Sequence, residues 1–353
     1  MHGSYRCLWA LLPLAFAACL AGGAVHPARA AENVVYINSS GGTLDDIYRK
    51  TFWDPFTAAT GIRVVSSAPV DQAKLMAMVK SGNVIWDITE VDDGDFWRSK
   101  QLGLLAKLDL AKLPIADMPK GTFDPYGIWE NAYSTVLVWD TDKWPMAGKH
   151  PTSLMDLWNQ KDFPGPRCLW KDAIDNLELG VRHAGVARDK VYPIDQDLAY
   201  KQLDELAKNV AVWWTTGAQS VQSIVNHDCV MGTTWNGRPY QLVVKDHAHL
   251  GVAWDDAILH SAWWAIPKGA PHYDAAMKLL AWMEDPQRAV QQAVQTGYAG
   301  PNRLIAQYLP KDTAAFLATA PDHMATTLIA SDQWWAENGP AAEKRFLGWV
   351  ISK

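Results

Sequence analysis

The sequence predicts an α/β fold in two lobes, each a mainly parallel sheet flanked by helices, joined by two crossings of the chain. Three observations carry this. From residue 34 onward short β-branched runs alternate with segments of helical spacing, the order that covers both faces of a parallel sheet. After Pro151 the same rhythm begins again. A chain of 353 residues, 49% hydrophobic and 20% charged, is also too long for one ordinary core. No long linker divides it, which fits a chain that builds one lobe, builds a second, and returns to the first.

The first thirty residues read as a secretory leader. Arg6 supplies the positive end, Leu8 to Ala18 the apolar stretch, and Ala28-Arg29-Ala30 an A-x-A cleavage site. The apolar stretch is too short for a membrane span, and no later run reaches the ~18 apolar residues a span needs. Cleavage after Ala30 removes Arg6 and Arg29, so the net charge of -6 becomes -8. Such an acidic chain has little to neutralise phosphates, which excludes nucleic acid as a partner. Cys7 and Cys19 leave with the leader. Cys168 and Cys229 remain, and in an exported protein they point to one disulfide, with two buried thiols as the alternative.

Val34–Ile37 opens the mature chain as a strand. Asn38-Ser39-Ser40-Gly41-Gly42-Thr43 is a turn, and Leu44 to Phe56 takes up helical spacing until Gly61. Residues 62–65 read as a strand, 71–80 as a helix stopped by Gly82, and 84–88 as a third strand. Tyr133–Trp139 is the next strong strand. Beyond Pro151, residues 153–158, 172–184 and 195–208 read as helices and 210–214 as a strand. Residues 251–254 and 261–266 read as two strands, and from Tyr273 the pattern is mostly helical.

Nothing assembles a catalytic site. The sequence lacks a G-x-S-x-G elbow, an H-E-x-x-H pair, a P-loop and a G-x-G-x-x-G after a strand. His247 and His249 read as a surface pair without a third metal ligand, so no metal or cofactor is expected. Asp92/Asp93 and Asp255/Asp256 are adjacent acids of the kind usually found solvated in loops. A secreted hydrolase would need a nucleophile–base pair that the chain does not offer.

Binding is better supported. The Ser39–Thr43 turn lies between a strand and a helix, where hydroxyls and backbone N–H groups serve a hydrogen-bonding ligand or simply cap the helix. Trp213, Trp214, Trp235, Trp254, Trp263 and Trp264 cluster in a chain with 19 Trp. Most should be core, and one or two in a cleft would stack on a ligand's alkyl chain or ammonium group.

The order of further motifs resembles the polyamine-receptor group of bacterial periplasmic solute-binding proteins, the receptors of ABC importers. The landmarks are Phe56–Ile62, Ser81–Asp87, Gly103-Leu104-Leu105, Phe163-Pro164-Gly165, Tyr192–Asp195, Trp235-Asn236-Gly237-Arg238, Ala265–Ala270 and Gly297-Tyr298. Each is weak alone, and their colinearity over residues 33–305 is the signal. The resemblance implies a type II-like two-lobed periplasmic binding protein that closes on a small solute. Lobe 1 would be residues 31–138 and 265–353, lobe 2 residues 139–264, with hinges near Val138 and near Trp254–Trp264. It implies a periplasmic monomer that delivers its ligand to an inner-membrane ABC permease.

Carried over residue by residue, the resemblance implies ligand contacts at Ser39 and Ser40 beside Gly41, at Asp92 or Asp93, at Glu178 and at Trp235. Trp213 and Trp254 stand behind Trp235, and Asp255 and Tyr298 complete the candidate set. Two departures redirect the ligand. Polyamine receptors commonly carry an acid three residues after that Trp, where this chain has Arg238. They carry another five residues before the Pro of the A-x-P turn, where it has Ala262. A guanidinium suits a carboxylate. The expected ligand is therefore a small amino-bearing acid, a γ-aminobutyrate-like zwitterion, with its acid on Arg238 and its amine near Glu178 or Asp92. A putrescine or spermidine receptor is the alternative, and a structural ion pair is the alternative role for Arg238.

Overall fold

The computed structural model describes residues 33–353 except His247, and the side chains among them except those of Asp93 and Lys245. The expected leader lies outside the described residues. β1 (Val34–Asn38) leads through the serine turn into α1 (Gly42–Tyr48), a π-helical stretch (Arg49–Trp53) and α2 (Asp54–Thr60). These run on as one helical segment, which Gly61 ends in the left-handed conformation (φ 72°). β2 (Arg63–Ser67), α3 (Gln72–Ser81), β3 (Ile88–Asp92) and α4 (Asp93–Gln101) complete the first series. A short β4 (Phe123–Asp124) precedes the long β5 (Gly127–Asp140).

The second series is β6 (Arg167–Trp170), α5 (Ala173–His183), α6 (Gln196–Ala207), β7 (Val210–Trp214), α7 (Gly217–Val225), β8 (Met231–Trp235) and the single turn α8 (Gly237–Tyr240). The long β9 (Leu250–Ala265) returns the chain. It is followed by α9 (Tyr273–Met283), α10 (Pro286–Thr296), α11 (Lys311–Ala315), α12 (Pro321–Met324), β10 (Leu328–Ile329) and α13 (Asp332–Ile351).

The strands run in the order β2-β1-β3-β9-β5-β8-β6-β7. β1 pairs parallel with β2 and β3, and β6 pairs parallel with β7 and β8. Between these halves lie β5 and β9, antiparallel over their length with Tyr133 opposite His260. β9 meets β3 only through residues 262–265, and β5 meets β8 only through residues 135–139. Each long strand therefore serves one half at one end and the other half at the other. Their exchange lies mid-strand, with irregular register between Trp129/Asn131 and Thr135/Leu137.

Each half has its own core. Ile37, Phe52, Phe56, Ile88 and Leu280 belong to the first, and Leu154, Leu169, Leu177, Leu203 and Met231 to the second. α9 and α10 pack on the first core, but α13 buries Trp335, Ala342 and Phe346 in the second. The C-terminal helix lies against both halves: its apolar side chains meet α5 and Trp213, and it also packs on α4 of the first half, where Trp97 Nε1 donates to Asp332 (3.3 Å). The segment expected as a strand over 84–88 is also different. Residues 83–86 are irregular, Ile85 is exposed, and the paired strand begins at Ile88. Asp87 explains the delay: its carboxylate accepts from the Tyr36 and His272 backbone N–H groups (2.8 and 2.7 Å), holding the chain in a connector. The two strands expected at 251–254 and 261–266 are one, since the intervening acids and His260 fit a continuous ladder.

Candidate ligand-binding site

A cavity of about 850 Å³ lies where the two halves meet the crossing strands. Its first wall is the β1–α1 turn with the end of β3. The Ser40 backbone N–H donates to Glu90 Oε2 (2.7 Å), and the Ser40 hydroxyl donates to Glu90 Oε1. Ser39 Oγ and the Gly41 N–H both donate to Asp45 Oδ1 (2.6 and 3.1 Å). Gly41 (φ 80°) permits this tight return, and a Cβ there would also meet Ala68. The Ser39 and Ser40 hydroxyls and the Ser40 and Gly41 N–H groups are thus taken by the protein's own carboxylates, while the N–H groups of Gly42 and Thr43 at the start of α1 find no acceptor among the described residues. Burial pushes Glu90 up to about 7, partly opposed by the two Ser40 hydrogen bonds. Asp92 and Asp95 line the same wall, with Arg98 paired to Asp95 (3.1 Å). Burial raises Asp95 as well.

The second wall comes from β6, α7, β8 and α8. Trp170 stacks on Trp214 (5.6 Å between centroids), and Trp235 meets both edge-on at 5.2 and 5.3 Å. Of these, Trp170 and Trp235 line the cavity, with Trp214 buried behind them. Arg238 lies over Trp235, its Cζ 5.8 Å from the ring centroid. Among the described residues its close neighbours are the Trp235 ring and Gly217, and no carboxylate pairs with it. Beside it begins α7, capped by Thr216, whose hydroxyl accepts from the Gln219 N–H (3.3 Å). The N–H groups of Gly217 and Ala218, the first of that helix, find no acceptor among the described residues. Two sources of positive potential adjoin, with no protein anion between them.

Asn131, Tyr133, Ala262 and Tyr298 close the cavity from the crossing strands and the segment after α10. Tyr133 stacks on His260 (5.1 Å), and His260 Nε2 bonds Asp175 (2.7 Å). Asp175 also accepts from Thr135 Oγ1 (2.6 Å), so α5 is tied to both long strands. At the far rim Asp172 and Glu343 adjoin. Burial and then the Glu343 charge push Asp172 up to about 8.

Of the residues expected at the site, Ser40, Gly41, Asp92, Trp235, Arg238 and Tyr298 line the cavity. The Asp93 side chain is outside the described ones. Five others lie elsewhere. Ser39 is fully buried beneath the turn on Asp45. Glu178 faces α13, where its Oε1 accepts from Tyr192 OH (2.6 Å) and Trp335 Nε1 (2.7 Å), and burial pushes it up to about 7. Trp213 packs edge-on against Phe346 and Trp349 (both 5.8 Å), because successive strand residues take opposite faces and Trp214 takes the inner one. Trp254 stacks on His323 (3.7 Å), and Asp255 pairs with Arg188 (3.1 Å). Glu90, Asn131, Tyr133, Trp170 and Gly217 join the site without having been foreseen. A correct register for β3 would have brought Glu90 level with the serine turn, and the Thr-Gly pair after β7 marks the start of α7.

A ligand-sized cavity between two βα halves, with aromatic faces and opposed charges, defines a solute-binding protein. The chain belongs to the bacterial extracellular solute-binding proteins, whose family pattern matches residues 51–325. It is 31% identical to the gamma-aminobutyric acid-binding protein of Pseudomonas aeruginosa over 96% of this chain and 95% of that one. It is 25% identical to the spermidine/putrescine-binding periplasmic protein of Escherichia coli over 82% of this chain and 84% of that one. The solved Atu4243-GABA receptor superposes with a TM-score of 0.83 at 29% identity, covering 90% of this chain and 97% of that structure. The two-lobed architecture is shared with it. Cys168 and Cys229 form a disulfide (Cα–Cα 5.8 Å), which joins β6 to the segment entering β8. No helix of the described residues is long and apolar enough to cross a membrane.

Proposed function

We propose that this protein is a periplasmic receptor of an ABC importer that captures a small zwitterionic amino acid of the γ-aminobutyrate type. The observation that carries the reading is the opposed polarity of the two walls. Arg238 and the free N–H groups of α7 form a seat for a carboxylate, and Glu90 with Asp92 forms a seat for an ammonium group. Trp170, Tyr133 and Trp235 offer faces to the carbons between them. A charge-assisted contact of this kind contributes about 1.5–3 kcal/mol, so two of them account for discrimination against a ligand lacking either end. The P. aeruginosa relative and the solved receptor, both named for γ-aminobutyric acid, support the same ligand class.

The leader is removed after Ala30, the receptor acts as a monomer, and it delivers its ligand to an inner-membrane permease without catalysis or cofactor. The lobes are the β1–β3 half with α9 and α10, and the β6–β8 half, with α13 lying against both. They turn about the middle of β5 and β9, near residues 131–135 and 258–262. Closure brings the two walls onto the ligand and expels water, which strengthens both charged contacts.

A polyamine is the second reading, favoured by the number of acids around the cavity. Arg238 weakens it, since the second cationic end of a polyamine would face a guanidinium in the cavity. Titration calorimetry decides between them: γ-aminobutyrate should bind and putrescine should not, and the reverse result would return the protein to the polyamine reading.

A further inference from the structure

Gly217 lines the cavity as the first residue of α7 and is buried. Its φ is not positive, so backbone freedom does not explain a glycine there. Space does. A Cβ at this position would collide with Arg238 Nε, and would lie 3.0 Å from Arg238 Cζ and 2.9 Å from Trp235 Cε3. The guanidinium therefore rests in the volume that any other residue's side chain would fill. Two surfaces meet here, one from α7 and one from the β8–α8 corner, and the missing side chain lets them share one anion.

We infer that Gly217 is a specificity-determining residue: by lacking a side chain it seats Arg238 against the first turn of α7, and so selects ligands that carry a carboxylate. This rests on the reading of Arg238 as the carboxylate seat. Neither group acts alone in this arrangement. An alanine at 217 meets Arg238 Nε most closely and pushes the flexible, exposed guanidinium away from the helix N–H groups, with a lesser pressure on the Trp235 ring. The helix itself tolerates the change, because alanine is the better helix former. Binding and stability should accordingly part company, which a merely structural glycine would not allow.

The test measures Gly217→Ala, Arg238→Ala and the double variant by titration calorimetry against γ-aminobutyrate and putrescine, with melting temperatures alongside. Gly217→Ala should weaken γ-aminobutyrate binding at least tenfold, leave the melting temperature unchanged or raised, and not weaken putrescine. In the Arg238→Ala background most of its effect should vanish, leaving only the smaller part that comes from the Trp235 contact. If Gly217→Ala binds γ-aminobutyrate like the parent while Arg238→Ala does not, Gly217 loses its role and the ligand reading stands. Equal further loss in the double variant would also overturn the inference. If Arg238→Ala binds γ-aminobutyrate unchanged, the carboxylate seat itself is misplaced and both fall.

Discussion

On the first wall of the cavity, serine and glycine donors turn inward onto Glu90 and Asp45, and burial pushes Glu90 up to about 7. On the second wall a guanidinium and two helix N–H groups meet without an acceptor from the protein. Each wall starts a helix whose first N–H groups find no acceptor among the described residues, but the first sets carboxylates beside them and the second a guanidinium. A strand-to-helix turn rich in Ser and Gly therefore need not be an anion site. The carboxylates within its reach determine that. The Ser40 hydrogen bonds preorganise Glu90 on the first wall, whereas the second wall gains most when ligand arrives.

The contrast can be broken at several points. The largest effect is expected from removing the Cys168–Cys229 bridge, which straps together the strands under the second wall. Closing a loop of 61 residues contributes about 4 kcal/mol. Chemical denaturation of the Cys168→Ser/Cys229→Ser variant should show a loss of that order, with a weaker ligand response at temperatures where the fold survives. Next comes Glu178→Gln, which leaves both walls alone. Burial pushes Glu178 up to about 7, well above a carboxyl group's ordinary value. Its folded-state advantage is complete below pH ~4.5 and is lost as pH rises through about 7, on the order of 3 kcal/mol. Glutamine keeps the acceptor for Tyr192 and Trp335. Melting curves of the variant should therefore decline less between pH 5 and 8 than those of the parent, with ligand affinity unchanged. Altered affinity would place Glu178 at the site after all.

Arg238→Ala should reduce γ-aminobutyrate affinity by roughly 2–3 kcal/mol in calorimetry, with little change in melting temperature because Arg238 is exposed. Glu90→Gln tests the other wall. Loss of about tenfold in affinity is expected, together with loss of the rise in affinity that ionising Glu90 confers between pH 6 and 8. The smallest effect separates the tryptophans. Trp235→Phe should cost about 1 kcal/mol of binding, and Trp254→Phe nothing, since Trp254 stacks on His323. Ligand-induced fluorescence change should likewise disappear with Trp235 and persist without Trp254.

Arg238 and Trp235 were legible in sequence because they lie in one short motif whose spacing fixes their relation. The serine turn was legible for the same reason, although its partners were not. Glu90 escaped because the strand was expected four residues early: hydrophobicity favoured residues 84–88, and the Asp87 hydrogen bonds that delay pairing come from Tyr36 and His272, distant in sequence. Glu178 was misplaced because an acid on an amphipathic helix can face ligand or neighbouring helix. Trp335, 157 residues away, determined which.

The sequence by itself determined the α/β rhythm, the restart after Pro151, the disulfide-capable cysteines and the replacement of an acid by Arg238. These are local matters of periodicity, composition and spacing. The tertiary structure decided which wall each charge occupies, which face of β7 carries Trp214 inward, and that α13 packs on the second core. Those outcomes depend on pairing between distant segments, where burial of one side chain fixes the surroundings of another, and no local pattern encodes that choice.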